Sequence, residues 1–179
     1  MNACVLLSGG FDSATALASL RSNSVSTSTV FVDYGQPARH EEQQAAARLA
    51  RHYGVAHHEL GVSGLRIGDG EIQGRNAILA TLAIAAAPRA GTITLGIHAG
   101  SSYWDCSGDF LALVQALADG YTGGTLQVMA PLLDFSKTDV YTLGRGLGVP
   151  ENLTYSCELG GTPCGRCASC RDQVTHARA

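Results

Sequence analysis

Four of the six cysteines, Cys157, Cys164, Cys167 and Cys170, fall in the run CELGGTPCGRCASC with the spacing C-x6-C-x2-C-x2-C. Overlapping C-x-x-C turns aim soft sulfurs at one point, which suits a tetrahedral zinc ion; an iron–sulfur centre is the alternative that takes the same ligands. Four protein ligands leave no open position, so the chemistry expected there is structural. The second constellation, Leu7-Ser8-Gly9-Gly10-Phe11-Asp12-Ser13, stands at the other end of the chain. Its two glycines let the backbone approach a ligand closely. Exposed amides, the dipole of a following helix and the hydroxyls of Ser8 and Ser13 then converge on an anion, as a phosphate cradle requires. The turn carries neither the G-K-[ST] of a Walker loop nor G-x-G-x-x-G. The competing reading is an ordinary strand-to-helix turn in which Asp12 favours the helix start.

The elements that must position these groups alternate. Ala3 to Leu7 reads as a buried strand and Asp12 to Leu20 as a helix; Thr29 to Val32 is a second strand, and Pro37 with Glu41 and Glu42 opens a helix through His52. Val55 to Leu60 is a third strand, followed by a loop punctuated by Gly61, Gly64, Gly68, Gly70 and Gly74, and by an alanine-rich helix from Asn76. Thr92 to Leu95 and Leu126 to Met129 complete five strands, with helices over Gly108 to Ala118 and Ser136 to Leu147. Such alternation predicts a Rossmann-like α/β fold: a parallel five-stranded sheet with helices on both faces and right-handed crossovers, its ligands beyond the C-terminal strand ends. Pro150 divides a main domain, 1–150, from a C-terminal cysteine segment, 151–179.

At 179 residues and 45 % apolar composition the chain has enough apolar surface for its own core, and a net charge of -3 supplies no overall basic field for a nucleic-acid backbone. Met1 leads directly into an apolar strand without a charged n-region or cleavage site, and the most apolar helix, Ala77 to Ala87, is about half the length of a membrane span. A cytoplasmic chain with no membrane partner is expected. In that reducing compartment the clustered thiols are metal ligands rather than disulfides. Cys106 has no histidine partner assignable from sequence and reads as a small, partly buried side chain; His57 and His58 lie within a strand and read as packing or solvent-facing.

S-G-G-x-D-S after a first strand resembles the signature of the PP-loop ATP pyrophosphatases. Asp33-Tyr34-Gly35-Gln36, Gly74-Arg75-Asn76, Tyr103-Trp104-Asp105-Cys106, the run Ala130 to Lys137 and the final cysteines follow in the order found in the 7-cyano-7-deazaguanine synthase family, so the resemblance spans nearly the whole chain. The resemblance implies an ATP site with Mg²⁺ at Leu7, Ser8, Gly9, Gly10, Phe11, Asp12, Ser13, Ala14, Thr15, Asp33, Tyr34, Gly35, Gln36 and Lys137. Within it Asp12 is near the metal and Lys137 faces the leaving pyrophosphate; a solvated lysine in a helix's first turn is the plain alternative for Lys137. Arg75 and Asn76 are implied to bind phosphate or nucleobase, or else cap their helix, and Asp105 to accept from a guanine-like N–H edge, or else to open a helix.

The implied reaction adenylates 7-carboxy-7-deazaguanine, forms an amide with ammonia, adenylates that amide and expels AMP to leave a nitrile, with structural zinc, in a homodimer. An enzyme stopping at the amide, a PP-loop RNA thiolase and a non-enzymatic zinc-ribbon module are the other readings. The chain departs from the family pattern in a short 61–73 segment and in Ser107, which stands where the family has arginine.

Overall fold

The computed structural model describes residues 2–65, 72–86 and 91–176. In chain order these form β1 (Asn2–Leu6), α1 (Phe11–Ser22), β2 (Ser26–Asp33), α2 (Arg39–Tyr53), β3 (Ala56–Gly61), α3 (Arg75–Ala86), β4 (Thr92–Thr94), α4 (Gly108–Thr122), β5 (Gln127–Met129), α5 (Lys137–Gly146) and α6 (Ala168–His176). All five strands are parallel, in the order β3-β2-β1-β4-β5, as the alternating pattern predicts. Among the described residues no helix is long and apolar enough to cross a membrane.

Because successive strand side chains point to opposite faces, central β1 feeds two cores. Ala3, Val5 and Leu7 pack with Leu17 of α1, Leu49 of α2 and Val140 of α5; Cys4 packs on the other face with Ala83 of α3 and Val114 of α4. Central α1 buries residues all round, from Phe11 through Leu20, as a helix clasped between a sheet and two neighbours must.

Most boundaries lie within two residues of the expected ones; β2 starts three residues early, at Ser26 rather than Thr29, and two helices differ more. α4 runs past Ala118 to Thr122, because Gly120 is tolerated within it and Gly123, at φ +62°, is the first residue to take the left-handed conformation that ends a helix. α6 starts between Cys167 and Cys170 and carries Cys170 in its first turn, where only a metal knot was expected. Parts of the glycine-punctuated loop, including Gly68 and Gly70, lie outside the described residues, as does Ala87 at the end of the expected apolar helix.

Close approach of α5 to α1 rests on Gly144. A Cβ there would lie 2.5 Å from Thr15 Oγ1 and 2.6 Å from the Phe11 ring. Gly144→Ala is therefore expected to cost about 1–3 kcal/mol through overpacking. The check is a urea melt, with a lowered midpoint and an unchanged slope.

Candidate active site

From β1 the sheet grows to β2 and β3 on one side and to β4 and β5 on the other. The crevice beyond the ends of β1 and β4 is thus the topological switch point, where open α/β sheets take their ligands. The Ser8–Ser13 turn follows β1 into this crevice, and the segment Leu95 to Ser101 follows β4. Gly9, at φ +86°, lies so near α2 that a Cβ would meet the Glu42 carbonyl oxygen at 2.5 Å. Gly10 is extended (φ -77°, ψ 162°) and gives α1 no side-chain cap, so the first-turn amides remain available to an anion. By contrast α4 is capped by Ser107, and α5 by a reciprocal Ser136–Asp139 box. Ser8 Oγ lies 3.1 Å from Ser13 Oγ, and the Ser13 hydroxyl donates to the Gly10 carbonyl at 3.0 Å. Both hydroxyls thus line one turn, as the cradle reading requires.

Lys137, at the first position of α5, spans 125 residues of sequence to place Nζ 2.8 Å from both carboxylate oxygens of Asp12. The pair is part-exposed, with 22 % of the Lys137 side chain and 29 % of the Asp12 side chain accessible. The plain alternative of a solvated lysine is therefore replaced by an ion pair at the mouth of the turn. Burial pushes the Asp12 carboxyl up, but a contact with His98 and the charge and hydrogen bonds of Lys137 outweigh it and hold the group below its ordinary value. His98, which the sequence reading passed over, brings Nε2 to 3.4 Å from Asp12 Oδ2.

A second cluster adjoins the first. The Asn76 backbone N–H faces Asp105 Oδ2 at 3.4 Å, its side-chain amide donates to the Asp105 carbonyl at 3.1 Å, and Arg75 Nε lies 3.4 Å from Asn76 Oδ1. Asn76 is buried and Arg75 exposed, so the asparagine ties α3 to the Trp104–Cys106 turn while the guanidinium stays accessible. The Asn76 amide also lies 3.8 Å from Cys106 Sγ, and burial pushes that thiol up, as fits a packed thiol rather than a nucleophile. Gln36 is committed to its own loop: its oxygen accepts from the Tyr34 N–H, and its amide donates to the Val32 carbonyl and to Glu42. With Asp33 accepting from Gly35 N–H, this loop borders a cleft of about 760 Å³ beyond β2 and β3, lined also by Arg39 and Ser63. Glu42, read in sequence only as a helix-start acid, is a further polar group here. His57 hydrogen-bonds Thr29 at 2.8 Å and His58 is exposed, both away from the crevice.

At the C-terminal end the ligand sulfurs of Cys157, Cys164, Cys167 and Cys170 lie within 4.8 Å of one another, as one tetrahedral metal ion needs. The Arg166 and Cys167 amides pull the Cys164 thiol down to about 6, whereas burial pushes Cys170 up to about 12. A divalent cation would let both ionise together, so the residues fit a bound metal.

A parallel Rossmann-like sheet with a glycine-serine turn at its switch point defines an α/β protein of PP-loop type. Two solved structures resemble it in fold: NMN synthetase from Francisella tularensis (TM-score 0.57, 17 % identity, covering 99 % of this chain and 84 % of that one) and a predicted subunit of tRNA methyltransferase from Methanocaldococcus jannaschii (TM-score 0.60, 17 % identity, 81 % and 76 %). The chain belongs to the family of queuosine biosynthesis protein QueC, whose model matches residues 2–71 and 67–176. Proteins named 7-cyano-7-deazaguanine synthase are 36 % identical in Pseudomonas fluorescens, covering 94 % of this chain and 90 % of the relative, and 39 % identical in Frankia casuarinae, covering 94 % and 86 %. The first of these alignments extends over 202 positions against a chain of 179 residues, so the relative carries segments that this chain lacks. The two matched stretches overlap at 67–71, within the short 61–73 segment.

Proposed function

We propose that this chain is an ATP-dependent carbon–nitrogen ligase that converts 7-carboxy-7-deazaguanine and ammonia to 7-cyano-7-deazaguanine, in queuosine and 7-deazaguanine biosynthesis. The observation that carries the reading is the Asp12–Lys137 pair at the mouth of the Ser8–Ser13 turn, in a chain of this family. In this reading the α1 amides and the Ser8 and Ser13 hydroxyls hold the ATP phosphates, Asp12 takes Mg²⁺, and the Lys137 charge offsets the pyrophosphate as it leaves. Asp33, Tyr34 and Gly35 border the nucleotide, and Gln36 acts through the loop it holds. Arg75, Asn76 and Asp105 face the deazaguanine acid.

The acid oxygen attacks the α-phosphorus and pyrophosphate leaves; ammonia then displaces AMP to give the amide. A second ATP adenylates the amide oxygen, and loss of AMP with a proton leaves the nitrile. The protein's part in each step is positioning and charge stabilisation. Zinc at the four cysteines stabilises the tail without entering the chemistry, and the cytoplasmic enzyme works as a homodimer.

An RNA thiolase would call for a catalytic cysteine pair with an open metal or cluster site, and for a basic RNA surface. Among the described residues the two remaining cysteines are Cys4, buried in the sheet, and Cys106, packed against Asn76, which favours the synthase. The test is mass spectrometry of the products formed from ATP, Mg²⁺, an ammonium salt and 7-carboxy-7-deazaguanine. Nitrile with AMP and pyrophosphate is expected; amide alone would limit the enzyme to the first half, and unchanged acid without AMP would overturn the reading.

A further inference from the structure

His98 follows β4 at the switch point and is 8 % exposed. Its Nδ1 accepts the Gly100 backbone N–H at 3.1 Å. In the neutral ring that bond assigns the remaining proton to Nε2, the nitrogen that faces Asp12 Oδ2 at 3.4 Å. The ring is held from both sides. Gly96, two residues earlier, lies where a Cβ would come within 3.0 Å of the Ser13 Cα, and a Cβ on Gly100 would meet the Lys137 backbone nitrogen at 2.7 Å and His98 Nδ1 at 2.9 Å. The segment after β4 is thus fitted between the start of α1 and the start of α5, with the imidazole as its contact to the carboxylate.

We infer that His98 is a positioning residue that makes the two oxygens of Asp12 unequal. Lys137 reaches both oxygens at 2.8 Å, while the His98 contact, at 3.4 Å, is made to Oδ2. Each carboxylate oxygen offers two lone pairs, so a divalent cation is favoured at the oxygen that carries one donor rather than two. With Oδ2 retained by an N–H donor, Oδ1 is the oxygen that turns to the metal, and the carboxylate does not have to choose its orientation when the nucleotide arrives. This inference rests on the reading of Asp12 as a Mg²⁺ ligand in an ATP site.

The test separates the two nitrogens. Asparagine can place an oxygen where Nδ1 accepts from Gly100 but cannot reach Asp12; glutamine can place an N–H donor where Nε2 faces Asp12 but leaves the Gly100 amide unpaired. Binding of a nonhydrolysable ATP analogue is followed by calorimetry as Mg²⁺ is titrated, with the melting temperature of each unliganded variant recorded. H98N is expected to raise the Mg²⁺ concentration for half-maximal binding about tenfold, the size of one lost hydrogen bond to a charged group, and H98Q to raise it less than about threefold. D12N should weaken binding at least as much as H98N, and H98N should add nothing in a D12N background. Rescue by asparagine but not glutamine would assign His98 to the turn alone and overturn the inference. So would wild-type Mg²⁺ dependence in H98N beside a weakened D12N. If D12N itself binds the analogue with unchanged Mg²⁺ dependence, it is the metal-site reading of Asp12 that falls.

Discussion

Lys137→Ala is expected to lower kcat/KM for AMP release by about a thousandfold, the upper range for removing one preorganised group that meets developing charge. Stability should change far less. The pair is part-exposed, and the Asp12 carboxylate keeps the His98 contact, so the folding cost is limited to about 1 kcal/mol. Chromatography of AMP beside a urea melt separates the two effects; near-normal turnover would remove Lys137 from the chemistry. Arginine is not an equivalent replacement, because its planar fork pairs a carboxylate bidentately with a delocalised charge, where Lys137 presents a compact charge at one nitrogen. The pair also carries a pH signature. Asp12 is held below the ordinary 3.8, so the native carboxylate is the stabilised form. That contribution is complete above the ordinary value and is lost as pH falls below it through the lowered native value. Wild type should therefore lose stability more steeply than Lys137→Ala below pH 3.8.

Cys164→Ser is expected to release the tail metal and lower the melting temperature by roughly 10 °C or more, since metal binding in such knots is folding free energy and each 1 kcal/mol moves a chain of this size by about 2–4 °C. Nucleotide binding should weaken with it, because the tail braces the Ser8–Ser13 turn. The Tyr155 N–H donates to the Gly9 carbonyl at 2.9 Å, and a Cβ on Gly160 would lie 2.7 Å from the Pro37 carbonyl oxygen, so the knot sits against both Gly9 and the loop before α2. On the other side His176 of α6 stacks on Tyr141 at 4.7 Å, and Tyr141 stacks on Phe11 at 4.5 Å. Metal analysis per chain, a visible spectrum and the melt together provide the check. One colourless zinc per wild-type chain is expected; iron–sulfur absorption would instead favour the thiolase reading, and an unchanged melt after metal loss would leave the tail without its structural role.

These expectations draw on two kinds of information. The order of strands and helices, the glycine-serine turn after β1 and the four thiols at fixed spacing are properties of neighbouring residues. Hydrophobic period, φ freedom at Gly9 and the reach of a C-x-x-C turn act over a few positions, so the sequence alone determined a parallel α/β sheet, a candidate phosphate cradle and a candidate metal site. The alternation could not show how the site closes. Lys137 and Asp12 meet because β1 lies centrally and α5 packs on α1 through Gly144, a contact across 125 residues. His98 left only a faint trace, a polar residue just past an apolar strand, and it acquires its meaning from β4 lying beside β1 at the switch point. The bracing of Gly9 by Tyr155 had no local signal, since it passes from one backbone amide to one carbonyl and any residue but proline would satisfy it. Residue types and spacing thus determined which chemistry was available; sheet order and helix packing decided which groups meet, because side chains far apart in sequence are brought within hydrogen-bond reach only by the folded core.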